Sequence, residues 1–222
     1  NIEKVHEELI QHPFIRDGFV LATHLARADD HEVMTREQLV DFSEATSVFK
    51  NCKSVCNSAA ILAYPSAHLD WVRPGIMLYG VSPFMGQLGR DFNLKPVMRF
   101  VARVISIKGV KRGQAIGYGG GYVCKEDKTI AVVNAGYGDG YPRTVKPGTG
   151  EVMIRGERCT ILGRVSMDML TVDISHLPEV EVMDVVTLWG EGLPVEKVAE
   201  AAQTIPYDLV TRVTMRVPYQ YH

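Results

Sequence analysis

The feature that most constrains this 222-residue chain is a change of hydrophobic rhythm near residue 90. Before it, apolar runs alternate with stretches whose apolar residues recur at helical spacing, the signature of strands joined by helical crossovers and hence of a parallel sheet. After it, the runs are short, rich in Val, Ile and Thr, and separated by Gly- and Pro-bearing turns, which predicts an antiparallel barrel or sandwich. One sheet cannot satisfy both rhythms. Two domains are therefore expected, residues 1–88 as α/β and residues 89–222 as all-β, with the boundary in 82–91, where Pro83, Gly86 and Gly89 fall.

In the first part, residues 2–10 predict an amphipathic helix with Ile2, Val5, Leu9 and Ile10 on one face. The near-continuous apolar run 18–24, closing on His24, reads as a buried parallel strand. Thr35 followed by Gln38 predicts a capping box, with Leu39, Phe42, Ala45, Thr46 and Phe49 continuing at helical spacing. Residues 54–56 make a short strand that opens through Asn57 and Ser58 into a short helix, and 69–73 make a third strand ending on Arg73. Three parallel strands neither close a barrel nor hide their own edges. The chain also opens inside a helix and without Met, so further sequence is expected to precede it.

Polar residues stand where each of these strands hands over to its loop: His24, Asn57 with Ser58, and Arg73. In an α/β barrel that is the end where sites are built, often with a phosphate held at a short helix N-terminus. Ser58 and the amides of Gly75 and Ile76 suit that task, because a helix start offers unpaired N–H groups and a favourable dipole. Each has an ordinary alternative: Ser58 as a helix cap, Gly75 as a turn glycine, His24 as a satisfied core histidine, Arg73 as a surface ion-pair partner. Singly the ordinary readings win. Together, at successive strand ends of one sheet, the four favour a site.

In the second part, strands are predicted over 97–108, 130–134, 151–155, 159–165, 170–174 and 184–188. A helix follows from Pro194 to residue 202, another over 206–213, and a last strand over 217–221. Within 112–122 the glycines at 117, 119, 120 and 121 weaken any strand unless a bulge, bend or ligand needs them. Tyr118 is thus a phenol on nearly bare backbone. It is either a turn aromatic leaning on the surface or a group presented to something.

Net charge of −2 and a pI of about 6.4 leave no electrostatic footprint for nucleic acid or an anionic membrane. No apolar run approaches the roughly 18–20 residues of a membrane span. The four cysteines, Cys52, Cys56, Cys124 and Cys159, lack metal-ligand or secreted-framework spacing, which favours buried free thiols, no metal site and a cytoplasmic setting.

Taken together, His24-Leu-Ala-Arg-Ala-Asp29, Asn57-Ser58-Ala59, Trp71-Val-Arg73-Pro-Gly-Ile-Met-Leu-Tyr79-Gly80, Gly117-Tyr118-Gly119, Gly136-Tyr137-Gly-Asp-Gly-Tyr-Pro-Arg143 and Gly163-Arg164-Val-Ser-Met167-Asp168 resemble alanine racemase, most closely its proteobacterial branch. The motifs are specific and span essentially the whole chain in order. The resemblance implies the C-terminal part of a TIM (β/α)8 barrel followed by a β domain, in a homodimer that uses pyridoxal 5′-phosphate (PLP) to interconvert L- and D-alanine.

Racemisation removes the α-proton from one face and returns one on the other, so two bases on opposite faces of the cofactor are needed. The cofactor supplies the electron sink and the protein positions it. The resemblance makes one base the PLP-bearing lysine and the other Tyr118, acting across the dimer interface. A free tyrosine has a pKa near 10, so at pH 7 about one in a thousand is ionised, a penalty of roughly 4 kcal/mol that nearby cations must reduce. By the same matching His24 contacts Tyr118 and Arg73, and Arg73 hydrogen-bonds the pyridine nitrogen. Arginine keeps its protons, so that nitrogen stays unprotonated and the sink mild. Ser58, Gly75 and Ile76 hold the phosphate and the Met167 N–H holds the substrate carboxylate. Asp29, Tyr137, Arg143 and Arg164 line the corridor to the site.

Two departures bear on that carry-over. No lysine here has the family's Lys-Ala-Asn-Ala-Tyr-Gly context, and the upstream arginine and modified lysine of the substrate site are also missing. About five barrel strands are then absent, and the chain alone is expected to be inactive. Met215 stands where some relatives have a phosphate-contacting tyrosine, so that role is unassigned. The alternatives are a fold-type III racemase of broader amino-acid specificity, or a non-catalytic module that dimerises or binds a partner. Met167 and the narrow corridor favour alanine, and joint retention of Tyr118, Arg73 and Ser58 speaks against the module.

Overall fold

The computed structural model describes residues 2–15 and 18–221. The chain divides into two compact units, one ending at Leu94 and the other beginning at Lys95.

The first unit contains α1 (Ile2–Ile10), β1 (Leu21–Ala22), α2 (Glu32–Thr46), β2 (Lys53–Ser54) and α3 (Ser58–Ala63), followed by short 3₁₀ turns that include Ile76–Tyr79. β1 and β2 pair in parallel, Leu21 with Lys53 and Ala22 with Ser54. The third predicted strand shrinks to one parallel bridge from Trp71 to Ser54. Leu69 sits in left-handed backbone at φ 52° and Pro74 has no N–H, which leaves little extended chain between them to pair. The capping box at Thr35 is also absent. Helix α2 starts three residues earlier, His31 accepts from the Met34 N–H at 3.1 Å, and the buried Thr35 hydroxyl lies 3.0 and 2.9 Å from the carbonyls of Arg27 and His31. A small core of Leu25, Ala28, Val55, Cys56, Ala59 and Ala60 receives Leu39 and Phe42 of α2. Helix α1 forms as predicted, yet none of its residues is buried, and Ile2, Val5 and Ile10 stay exposed.

The second unit contains β3 (Phe100–Val110), β4 (Ala115–Ile116), β5 (Tyr122–Val123), β6 (Lys128–Val133), β7 (Glu151–Ile154), β8 (Glu157–Leu162), β9 (Leu170–Asp173), β10 (Val185–Trp189), α4 (Val195–Ala202) and α5 (Pro206–Arg212). Six of these strands close an antiparallel barrel in the order β10-β3-β6-β9-β8-β7, while β4 and β5 form a separate hairpin. Closure removes the sheet edges, and it decides the predicted barrel-or-sandwich choice for the barrel. Period-2 burial makes the core: Phe100, Ala102 and Val104 on β3 alternate with more exposed neighbours, as do Val152 and Ile154 on β7 and Leu170 and Val172 on β9. Each such aliphatic side chain contributes about 1.5–3 kcal/mol by leaving water. Phe100 meets Trp189 edge-on at 4.7 Å. Past α5 the predicted last strand is absent. Residues 213–221 run irregularly, and Thr214 bonds to the 138–139 backbone instead of entering a sheet. Cys56, Cys124 and Cys159 are buried as expected, and burial pushes the Cys159 thiol up to about 12, whereas Cys52, in the turn before β2, is exposed.

Candidate active site

The strand ends of the first unit present a donor-rich cluster. Asn57, not Ser58, caps α3: its Oδ1 accepts from the Ala60 N–H at 3.0 Å and its Nδ2 donates to the Leu25 carbonyl at 3.3 Å. That frees Ser58, which is only 3% exposed, for a different task. Its Oγ accepts the Gly75 N–H at 2.8 Å and the Met77 N–H at 3.3 Å. A hydroxyl so engaged keeps its own proton to give. Ile76, buried, opens the 3₁₀ turn, so its N–H has no carbonyl one turn earlier to bind.

Arg73 is exposed, yet it is not a surface ion-pair residue. Its Nη1 donates to the Ser54 carbonyl at 2.9 Å and to Ser54 Oγ at 2.6 Å, and its Nη2 donates to the Thr23 carbonyl at 2.7 Å. Because a guanidinium has five donors in a rigid plane, these three bonds fix its orientation across the ends of β1 and β2 and leave two donors without a partner among the described residues. His24 and Asp29 are both exposed beyond the end of β1, so His24 is no core histidine. Of the lysines in this unit, Lys4 lies on α1, Lys50 precedes β2 and Lys53 opens it. None follows a strand end as Ser58 and Arg73 do.

In the second unit three loops converge through their backbones. The hairpin of β4 and β5 turns at Tyr118, which is 70% exposed. Gly117 precedes it at φ 80°, and a Cβ there would lie 2.8 Å from the Arg164 nitrogen. Gly163 answers at φ 72°, where a Cβ would meet the Ile116 carbonyl oxygen at 2.8 Å. Only glycine at both positions allows the hairpin base to rest on 163–164. From there the chain turns through Ser166, whose Oγ accepts the Met169 N–H at 3.1 Å, and exposes Met167. Among the described residues nothing accepts the Met167 N–H. The third loop docks on the other side: the Tyr137 N–H donates to the Ser166 carbonyl at 3.0 Å and the Gly138 N–H to the Met167 carbonyl at 2.8 Å. Arg143 stands over the Tyr137 ring at 5.7 Å. The chain thus links Tyr118, Arg164, Met167, Tyr137 and Arg143 through one set of loop contacts. Nearby in sequence, Tyr141 is fully buried, burial raises its phenol pKa, and its Oη finds no partner among the described residues, so it is a packing residue.

Sequence reasoning missed Ser54 and Thr23, which hold Arg73, and also Arg216 and Asp139, which hold the Tyr137 loop. No motif flags Ser54, Thr23 or Arg216, because their partners are distant in the chain, and Asp139 lies inside the Gly136–Arg143 motif without being singled out there.

The alanine racemase N-terminal domain family matches residues 1–83 and the alanine racemase C-terminal domain family matches residues 97–221. The alanine racemase of Aeromonas hydrophila is 45% identical over 204 residues, covering 91% of this chain and 57% of that protein. The chain belongs to the alanine racemase family. The crystal structure of the biosynthetic alanine racemase from Pseudomonas aeruginosa superposes with a TM-score of 0.93 at 43% identity, over 100% of this chain and 62% of that one. An alanine racemase structure from Bartonella henselae, described with covalently bound pyridoxal phosphate, gives a TM-score of 0.81 at 30% identity over 96% of this chain and 60% of that one. The chain therefore spans about three fifths of the length of these relatives. No described helix is long and apolar enough to cross a membrane.

Proposed function

We propose that this chain supplies the phosphate cradle, the ring-nitrogen partner and one of two bases for PLP-dependent interconversion of L- and D-alanine, in a cytoplasmic homodimer. The donor set fits the cofactor. A buried hydroxyl with a proton to give, the Ile76 amide at a turn N-terminus and an arginine with two donors unengaged among the described residues match a phosphate and an unprotonated pyridine nitrogen. When bound, PLP supplies the electron sink that acidifies the substrate α-carbon. Ser58 and Ile76 would then hold the phosphate, with Gly75, whose N–H is given to Ser58 Oγ, fixing that hydroxyl, and Arg73 would donate to the ring nitrogen. His24 supports Tyr118, and the Met167 N–H holds the substrate carboxylate, with Asp29, Tyr137, Arg143 and Arg164 along the corridor. No lysine of this unit stands with the cradle, so the second base comes from elsewhere in the protein.

One observation carries the reading: Tyr118 is held outward on a glycine hairpin whose base is clasped to the 163–164 backbone, four residues before Met167 in the case of Gly163. A phenolic oxygen presented in that way to the site of a second copy would take and return the proton on one face of the α-carbon. The test uses the complete protein with Tyr118→Phe in D2O. Solvent exchange of the L-alanine α-proton is expected to fall at least about 100-fold, with that of D-alanine better preserved. Equal losses for the two enantiomers would contradict the assignment.

A further inference from the structure

The geometry points to Arg216 as a positioning residue that locks the Met167 turn to the Tyr137 loop and so sets the aim of the Met167 N–H at a substrate carboxylate. This rests on the role proposed above for Met167. Arg216 Nη2 donates to Asp168 Oδ1 at 2.6 Å, and Asp168 is the residue after Met167. On its other side Nε lies 3.6 Å from Asp139 Oδ1, while Asp139 Oδ2 accepts the Gly136 N–H at 2.9 Å. One guanidinium therefore spans two carboxylates from the two loops that the Gly138–Met167 bond already joins. The approach is close enough that a Cβ on Gly138 would collide with Arg216 Nη1 and also press on the Met167 carbonyl and Cγ. Residues on either side of the latch seat it. The Thr214 N–H donates to the Asp139 carbonyl at 3.2 Å and its Oγ1 to the Gly138 carbonyl at 2.9 Å, and a Cβ on Gly140 would strike the Arg212 carbonyl.

An isolated, half-exposed ion pair contributes little to stability. The consequence of this one is geometric, because a mis-aimed donor to the substrate carboxylate weakens ground-state and transition-state binding alike, which raises KM and leaves kcat nearly unchanged. A planar fork reaches two carboxylates at fixed angles, and the single ammonium of lysine does not.

The test compares Arg216→Met and Arg216→Lys with the parent in the complete protein. Loss of the fork is expected to raise hydrogen exchange at the Gly138 amide and KM for alanine each by about tenfold, with kcat within about twofold. The Lys variant should fall between. Unchanged exchange, unchanged KM, or a loss confined to Tm with kcat falling alone would each overturn the proposal. A parent protein that racemises neither enantiomer would instead sink the functional reading, and the exchange measurement would still decide whether Arg216 holds the two loops.

Discussion

At Tyr118 and Tyr141 the same phenol meets opposite surroundings: one is presented to solvent on glycine backbone, the other is sealed beside Trp189 with ring centroids 6.3 Å apart. The neighbours of Tyr118, not the tyrosine itself, make the difference, and the glycines around it separate into two kinds. Gly117 combines left-handed backbone with a backbone contact, whereas Gly119, at φ 71°, has open space where a Cβ would go. Gly119→Ala should therefore cost about 1 kcal/mol from backbone strain alone. Gly117→Ala adds a clash with backbone that cannot swing aside, and should cost about 3 kcal/mol by thermal or denaturant unfolding. Equal costs at the two positions would mean that the clasp on Arg164 does not form.

Between elements, the pairing of β6 with β9 carries the one largely buried ion pair described in the barrel. Lys128 Nζ lies 2.8 Å from Asp173 Oδ2, with both side chains mostly covered. Burial works to raise the Asp173 pKa, but the hydrogen bonds from Lys128 and Ser175 outweigh it and hold the carboxyl below its ordinary value. The hydrogen bond to Asp173, and then that to Glu126, raise Lys128. A depressed carboxylate contributes stability above its unfolded pKa of about 4 and loses it as the pH falls through the lower folded value; a raised amine loses its share only as the pH climbs past about 10. Asp173→Asn should thus cost about 2 kcal/mol at pH 7, and the gap to the parent should narrow as the pH falls below the ordinary carboxylate range. A gap independent of pH would show that the folded protein leaves the Asp173 carboxyl at its ordinary value.

The barrel strands themselves were legible because short Val-, Ile- and Thr-rich runs between turn residues are a local signal, and all six fall within a few residues of their predicted places. What was not legible depends on partners remote in sequence. His31 displaced the Thr35 cap, Asn57 took the cap that was the ordinary alternative for Ser58, and Thr214 and Arg216 drew the last segment onto the 138–139 and 168 loops instead of into a strand. Of the candidate site residues, those in short glycine-bearing motifs could be named from the sequence, because close backbone approach leaves a mark in it. Those that orient them, such as Ser54 on Arg73, were not, since a serine one strand away leaves none.

For the molecule as a whole, the two units differ in how far each encloses its own backbone. The second has a closed ring of six strands around fully buried Val104, Ile154, Ile161, Leu170 and Leu188. The first has two strands of two residues each, a helix α1 without a buried residue, and exposed Trp71, Val72 and Val20 around that short sheet. Local opening free energy follows buried apolar contact and shielded hydrogen bonds, so it should be near the global value in the barrel and far lower in the first unit. Native-state hydrogen exchange on the 222-residue chain should show amides of β3, β6, β8 and β9 exchanging at least about 100-fold more slowly than those of β1, β2 and α1. The alternative outcome carries equal meaning: β1 and β2 amides as slow as those of the barrel would require a cover over their edges that the 222-residue chain obtains by self-association, and the protection would then depend on protein concentration.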